Sequence, residues 1–186
     1  MIFVKNKARF AVTMQKKRRT KQKRLLNATF VVSVLALSAF GAASPAQAAT
    51  TVFAQVAPPI PTGTWPTSVV PNESTGLVYT ADFFNNRISV IDAKINQIVD
   101  DIAVGQGPLA MAINEATQTL YVPNFLDDTV TVINTKTNLV VGTLTVGDGP
   151  TAVAVDVETN TIYVSNEGSD TVSTIDGSKN TVSVAT

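Results

Sequence analysis

One fixed repeat interval runs through the chain from Gly63 onward, and it restricts the possible folds more than any other feature of the sequence. One glycine, one proline, one tyrosine, one isoleucine and one asparagine recur at this interval without a gap: Gly63, Gly105, Gly147; Pro66, Pro108, Pro150; Tyr79, Tyr121, Tyr163; Ile91, Ile133, Ile175; Asn96, Asn138, Asn180. A regular period of this kind is typical of chains that stack copies of one supersecondary unit.

Each repeat contains four short segments rich in Val, Ile, Thr and Tyr, which favour a pleated and half-buried surface. The predicted strands are residues 67–70, 77–80, 87–91 and 97–104 in the first repeat, 109–113, 119–122, 129–133 and 139–146 in the second, and 151–155, 161–164, 171–175 and 181–184 in the third. No segment of useful length in this region has the apolar spacing of a helix.

The predicted strands are joined by short hairpin turns of two recurring kinds. One kind covers residues 72–76, 114–118 and 156–160, and the other covers residues 92–96, 134–138 and 176–180. An Asp or Asn opens each turn, where its side chain can accept hydrogen bonds from backbone N–H groups. Gly or Asn closes nearly all of them, at the position that needs left-handed φ. Gln118 breaks this rule, so we expect it to be strained or to adopt another turn type.

Four-stranded antiparallel meanders that repeat radially predict an all-β fold, the β-propeller, with blade 1 at residues 66–107, blade 2 at 108–149 and blade 3 at 150–186. Residues 49–65 are a leader that holds a possible outer strand of a closing blade. Propellers have about 4 to 8 blades, so three blades form an incomplete or open ring. Three interpretations are open: a piece of a longer propeller, a six-bladed ring of two chains, or an open stack whose two free faces, rich in Val and Ile, favour self-association.

The N-terminal segment predicts export. Ten Lys and Arg fall between Lys5 and Arg24, an apolar stretch follows at residues 25–43, and Ala46-Gln47-Ala48 provides small residues at a cleavage site. These are the three parts of a secretory signal peptide, which would be helical, cover residues 1–48 and be cut after Ala48. The alternative is an uncleaved anchor, since the apolar stretch is nearly as long as the roughly 20 residues that span a bilayer. We expect a secreted, cell-surface or periplasmic protein that meets a membrane only through this segment.

From Ala49 onward the chain is acidic, with four basic and fourteen acidic residues, a net charge of 4 − 14 = −10. An acidic surface repels phosphate backbones, so the sequence argues against a nucleic-acid partner. The chain has no Cys, which excludes disulfides and a lipid-modified cysteine anchor.

All three repeats carry a copy of a recognisable motif, and Tyr79-Thr-Ala-Asp82 with Asn86-Arg-Ile-Ser-Val-Ile-Asp92 is the weakest copy. Tyr163-Val-Ser-Asn166 followed by Asp170-Thr-Val-Ser-Thr-Ile-Asp176 resembles the YVTN family of β-propeller repeats, and Tyr121-Val-Pro-Asn124 with its following strand is similar to it as well. The resemblance covers residues 65–186. It implies a surface-layer or secreted protein of bacteria or archaea. Because relatives include lactonase-like propellers, it specifies the fold better than the activity.

The loops between the second and third strands contain the candidate binding residues. Apolar pairs stand there in otherwise polar loops, and acidic residues lie beside them: Phe83, Phe84, Phe125, Leu126, Asp82 and Asp127. In a propeller these loops gather with the inter-blade links at one end of the ring, where aromatic side chains on a rigid scaffold are good binding candidates. The alternative is that the apolar side chains fold inward and fill the blade interface. Trp65, at the first link, is interpreted as a lid over blade 1.

The sequence offers no catalytic constellation. It has neither His nor Cys, so a Ser-His-Asp triad and a thiol nucleophile are impossible and the usual zinc ligands are missing. No acidic residues have the spacing of a calcium loop, and we expect no cofactor and no metal. The sequence predicts a binding or scaffold module for a protein or an envelope polysaccharide. The alternative is a fragment of a lactonase-like propeller hydrolase.

Overall fold

The structure is a computed structural model that describes residues 58–185. From Pro59 onward these residues belong to one compact unit. The predicted signal peptide, its cleavage site and most of the leader lie outside the described residues and stay predictions. No helix in the described part of the chain is long and apolar enough to cross a membrane.

The described chain forms twelve β-strands in three groups of four. Blade 1 contains β1 (Pro66–Asn72), β2 (Leu77–Asp82), β3 (Arg87–Asp92) and β4 (Gln97–Ala103). Blade 2 contains β5 (Ala112–Asn114), β6 (Thr119–Asn124), β7 (Thr129–Asn134) and β8 (Leu139–Thr145). Blade 3 contains β9 (Pro150–Asp156), β10 (Thr161–Asn166), β11 (Thr171–Asp176) and β12 (Thr181–Ala185).

Each group is a separate four-stranded antiparallel sheet in which sequence neighbours pair, so the predicted meander is confirmed. The described fold is all-β and propeller-like, with three blades and unclosed sheets. The outer strands of blades 1 and 2 carry one extra residue each, between the partners of Val90 and Ile91 and between those of Val132 and Ile133. Such bulges increase the local twist of an edge strand.

All nine hairpins of the described blades have a left-handed residue just before the returning strand. Besides Gly76 these residues are Gln118, Asn160, Asn86, Asp128, Asp170, Asn96, Asn138 and Asn180, each with φ between 52° and 57°. Gln118 therefore occupies the same turn as its counterparts and is strained there. Its side chain compensates, because Nε2 donates to the Ser74 hydroxyl at 2.9 Å and Oε1 accepts from Thr135 at 3.1 Å.

Strand β5 begins at Ala112, three residues later than the sequence predicts. The strand paired with it contains Pro123, at the position held by Ala81 in blade 1 and Ser165 in blade 3. In blade 3, Ser165 pairs with Ala152, so the missing pairing in blade 2 falls opposite a residue without an N–H group. An isolated bridge between Pro108 and Asn124 continues the sheet beyond the gap.

Each blade has two faces. The forward face carries the repeat tyrosine and is directed toward the next blade. The back face is the opposite one. The forward face of blade 1 and the back face of blade 2 together form one buried cluster of apolar residues: Tyr79, Ala81, Ile88, Val90, Ile102, Met111, Leu120, Val122 and Ile133. The forward face of blade 2 and the back face of blade 3 form a second: Tyr121, Val130, Val132, Val146, Ile162, Val164 and Ile175. The core thus lies between blades.

Candidate functional site

The aromatic residues predicted to bind lie mostly inside the blade end. Phe83 is 2% exposed and Phe125 is 7% exposed, whereas Phe84 and Leu126 are half-buried. The Trp65 ring packs edge-on against Phe83, with ring centroids 5.0 Å apart, and stacks on Phe84 at 5.4 Å. This position agrees with a lid over blade 1. Blade 3 has no such cluster, because Glu167 and Gly168 stand at the corresponding positions.

Asp82 is fully buried at the end of β2, where the repeat places Asn124 in blade 2 and Asn166 in blade 3. Its Oδ2 accepts a hydrogen bond from the Thr64 N–H at 3.2 Å and lies 4.0 Å from the Arg87 Nε. The Oδ1 atom is buried with no hydrogen-bond partner among the described residues. The carboxylate is therefore part of the blade end and is not displayed to solvent.

The corresponding asparagines bind the third strand of their own blade. Asn166 Nδ2 donates to the hydroxyls of Thr171 at 3.0 Å and Ser173 at 2.9 Å, and Ser173 in turn accepts from the Gly147 N–H at 3.2 Å. Asn124 makes the same contacts with Thr129 and Thr131. In the sequence, these asparagine–hydroxyl contacts are indicated only by the recurrence of the same polar residues at the repeat interval. A single repeat does not show which polar side chains pair.

Asp127 is the one exposed residue of the predicted set. Its carboxylate accepts the Gln106 N–H at 2.7 Å, which ties the second loop to the link between blades 1 and 2. In blade 3 the Ser169 hydroxyl takes this role by accepting the Asp148 N–H at 3.2 Å. Loops and links therefore meet at one end of the blades, as expected. The predicted residues mostly hold this end together.

The largest departure from the repeat pattern is the forward face of blade 3. Tyr163 is 44% exposed and Val172 is 42% exposed. Their counterparts in blades 1 and 2 are all fully buried: Tyr79, Tyr121, Ile88 and Val130. The positions are the same in sequence and in strand register, so the difference arises from what lies against the face.

Hydroxyl side chains replace apolar ones on this forward face. Thr174 pairs with Tyr163 at the position of Val90 and Val132 in the earlier blades. Two open cavities of about 400 Å³ each lie along the face, one at either end of the strands. The first is lined by Thr151, Ser165, Asn166, Glu167, Asp170, Thr171 and Val172, and the second by Thr159, Thr161, Thr174, Ile175, Asp176, Ser178, Thr181 and Ser183.

The back face of blade 1 is mixed. Thr80, Ser89 and Ile91 on this face are each less than a tenth exposed, whereas Val69, which pairs with Thr80, is 64% exposed. The sequence predicts two free faces rich in Val and Ile for an open stack. The forward face of blade 3 is rich in hydroxyl groups instead.

The tyrosines at the closed junctions show what a covered forward face looks like. The Tyr79 hydroxyl donates to Asn138 Oδ1 of blade 2 at 2.9 Å. Burial, and secondarily the Asp100 carboxylate, raises the pKa of Tyr79 to about 12. Burial also raises the pKa of Tyr121. By contrast, the Tyr163 hydroxyl makes no hydrogen bond within the described part of the chain.

Among residues 58–185 no group of three or more His, Cys, Asp or Glu side chains is placed to hold a metal ion. The forward face of blade 3 instead combines an exposed aromatic ring, hydroxyl groups and the carboxylates of Glu167, Asp170 and Asp176. This arrangement suits non-covalent recognition, in which one aromatic side chain supplies contact area and polar groups supply orientation. The sequence predicts an exposed face at each end of an open stack. It does not identify Tyr163 as a candidate residue, because this repeat position is buried in blades 1 and 2.

No protein-family model and no curated protein matches the chain. Solved structures do match in fold. Hydrazine synthase from Kuenenia stuttgartiensis is 21% identical, with a TM-score of 0.61 over 63% of this chain and 34% of that one. The structure of U3-55K is 14% identical, with a TM-score of 0.59 over 64% and 38%. The WD40 repeats of RRP9 are 14% identical, with a TM-score of 0.58 over 63% and 37%. The chain thus spans about a third of these structures, and the similarity shows the fold alone.

Proposed function

We propose that this chain is an exported binding module of the YVTN repeat type, and that it recruits a polypeptide partner through the forward face of blade 3. One observation carries the proposal: the repeat tyrosine is fully buried in blades 1 and 2 and 44% exposed in blade 3. The forward faces of blades 1 and 2 each pack against another blade, and the forward face of blade 3 has the same strand register.

The chemistry of the forward face of blade 3 suits reversible binding of a partner. Thr174 and Ser165 stand where the earlier blades have valine and alanine or proline, so the free face exposes less apolar area than an uncovered internal blade would. Non-obligate interfaces are about as polar as the rest of a protein surface. A partner can therefore dissociate without leaving an aggregation-prone sheet face behind.

A protein partner explains the face better than a polysaccharide does. At both closed junctions the forward face is covered by strands and hairpins of another blade, and the Tyr79 hydroxyl bonds the carbonyl of Thr135 at 3.3 Å as well as Asn138 Oδ1. These are backbone and amide acceptors of a polypeptide. The exported location rests on the predicted signal peptide and places recognition outside the cytoplasm.

A capture experiment with matched variants tests this function. The full chain is immobilised and exposed to the extracellular and envelope fraction of the producing cell. The matched variants are Tyr163→Glu and the control Val99→Glu, whose side chain is 51% exposed on the outer strand of blade 1. We expect a ligand that wild type and the control retain, that Tyr163→Glu loses, and that protease treatment of the fraction destroys. A ligand that survives protease, or that Tyr163→Glu binds as well as wild type does, contradicts the proposal.

A further inference from the structure

The outer strand of blade 2 differs in charge from the outer strand of blade 1. Strand β8 has no charged side chain, and its first three residues, Leu139, Val140 and Val141, are 63%, 43% and 57% exposed. Strand β4 carries Asp100 and Asp101 instead. Both strands contain a bulge at the same place, so the charges distinguish them. Charged side chains on an edge strand oppose pairing with strands of other molecules, and β8 lacks this protection.

One side of β8 has no strand paired with it within residues 58–185, because β8 stands last in the order β5-β6-β7-β8. This free side is called the β8 edge. Just beyond the strand, the Val146 N–H donates to the Asp128 carbonyl at 3.0 Å. Since bonding residues alternate along an antiparallel pair, Gly142 bonds β7, whereas Thr143 and Thr145 direct their N–H and C=O groups outward. Backbone groups directed outward in this way form a template for pairing with a further strand.

The charges at the two ends of β8 favour a second copy of this chain as the partner. Gly142 is the midpoint of Leu139–Thr145, and Lys136 precedes it by as many residues as Asp148 follows it. When two β8 strands pair antiparallel about Gly142, Lys136 of each copy comes level with Asp148 of the other. The same pairing of two β4 strands would place the Asp100 side chains of both copies opposite each other, and like charges in that arrangement are destabilising.

We infer that the β8 edge is a self-recognition site, through which two copies of the chain pair antiparallel about a two-fold axis at Gly142. Two-fold pairing is the commonest form of homo-oligomer, since each copy offers the same surface. The pairing places Val140 of one copy opposite Leu144 of the other, and Val141 opposite Thr143, so exposed aliphatic groups become covered. A pair of seven-residue strands is smaller than the roughly 1,200 Å² of the smallest stable interfaces, so the dimer is weak and depends on concentration.

Disulfide cross-linking of the full chain tests this pairing. The chain has no cysteine, and a Cβ atom at Gly142 has no atom within 4 Å, so Gly142→Cys introduces one accessible thiol at the two-fold axis. Because Gly142 bonds β7, the two copies of this residue form a non-hydrogen-bonded pair, whose Cα atoms lie about 4.5 Å apart and suit a disulfide. Under mild oxidation, we expect Gly142→Cys to form a covalent dimer at least about tenfold faster than Asp100→Cys, the matched position on β4.

Further substitutions in the Gly142→Cys chain separate strand pairing from other contacts. Thr143→Pro removes an outward N–H, and proline is tolerated at an exposed strand edge, so the chain should fold while cross-linking slows at least about tenfold. Val141→Asp should slow it to a similar extent by placing like charges across the pair. Val99→Asp is the matched control, because Val99 is 51% exposed at the equivalent position of β4, and it should leave the rate unchanged. Circular dichroism checks that each variant is folded.

The outcome is independent of the proposed function, because β8 belongs to blade 2 and Tyr163 lies on β10 of blade 3. All cross-linking variants therefore also carry Tyr163→Glu, so that contacts through the forward face of blade 3 do not contribute. Equal rates for Gly142→Cys and Asp100→Cys overturn the inference, and so does cross-linking that a folded Thr143→Pro chain retains. Capture of a partner through Tyr163 remains the separate test of the proposed function.

Discussion

The junction between blades 1 and 2 and the forward face of blade 3 have the same strand pattern but differ in the burial of their side chains. At the junction, Tyr79 and Ile88 are fully buried beneath the next blade, whereas Tyr163 is 44% exposed and Val172 is 42% exposed. The strands align in the same register in both places. The comparison shows that side chains in this fold are buried between two adjacent blades, so a face that no blade covers contributes less to stability.

The largest expected contrast is between two tyrosines. Tyr121→Ala removes a fully buried ring from the second core cluster, so we expect the free energy of unfolding to fall by about 3 to 5 kcal/mol. Tyr163→Ala removes a half-exposed ring and is expected to cost less than about 1 kcal/mol. Urea denaturation followed by circular dichroism measures both. Similar losses for the two variants would mean that the forward face of blade 3 is covered in solution.

The next contrast compares two glycines. A Cβ atom at Gly107 would lie 2.9 Å from Cε2 of Phe83 on a backbone with φ of 70°, so Gly107→Ala combines backbone strain with a steric clash. We expect a loss of about 2 to 4 kcal/mol. Gly142 has no atom within 4 Å of such a Cβ, and Gly142→Ala is expected to change stability by less than about 0.5 kcal/mol. Thermal unfolding of the two variants measures both effects. A Gly107→Ala protein as stable as wild type would show that the link does not require this backbone conformation and this close packing.

A smaller contrast isolates the link hydrogen bond. Asp128→Gly and Asp170→Gly both keep a left-handed turn, but only Asp128 accepts a link N–H in the described part of this chain. Asp128→Gly is expected to lose about 1 to 2 kcal/mol by urea denaturation, whereas Asp170→Gly changes little. Equal losses would indicate that Asp170 already has a partner.

The smallest contrast is in the pH dependence of stability. Because the folded-state pKa of Tyr79 is raised to about 12, its contribution is complete below pH 10 and is lost as pH rises toward 12. Between pH 9 and pH 11 this one group lowers the free energy of unfolding by about 1 kcal/mol. Tyr79→Phe should flatten the stability profile by that amount over the same range. An unchanged slope would show that the phenol is solvated and the first junction loose.

Much of the fold follows from the sequence because its determinants are local. The Asp or Asn at the start of each hairpin and the Gly or Asn at its end act within a few residues, and the constant repeat interval gives the strand count directly. The exceptions have physical reasons that are not local to the strand concerned. Strand β5 is shortened by Pro123 on its partner strand, and Gln118 keeps a turn meant for Gly or Asn because Ser74 and Thr135 bind its side chain.

The site could be predicted only in part. Sequence alone places Phe83, Phe125 and their neighbours at the loop end, yet it cannot tell an inward ring from an outward one, because that depends on the packing of the adjacent link. Tyr163 is indistinguishable from Tyr79 in its own repeat. The exposure of Tyr163 depends on whether another blade covers it, and the sequence of a single repeat does not contain that information.

The central claim is that the forward face of blade 3 is exposed, whereas the matching faces of blades 1 and 2 are covered by the next blade. Because the chain has no cysteine, Val172→Cys and Val130→Cys each give one reporter thiol at equivalent positions, exposed in blade 3 and buried in blade 2. Maleimide labelling is expected to be at least about a hundredfold faster for Val172→Cys, since a buried thiol is inert. Equal labelling rates would contradict the account.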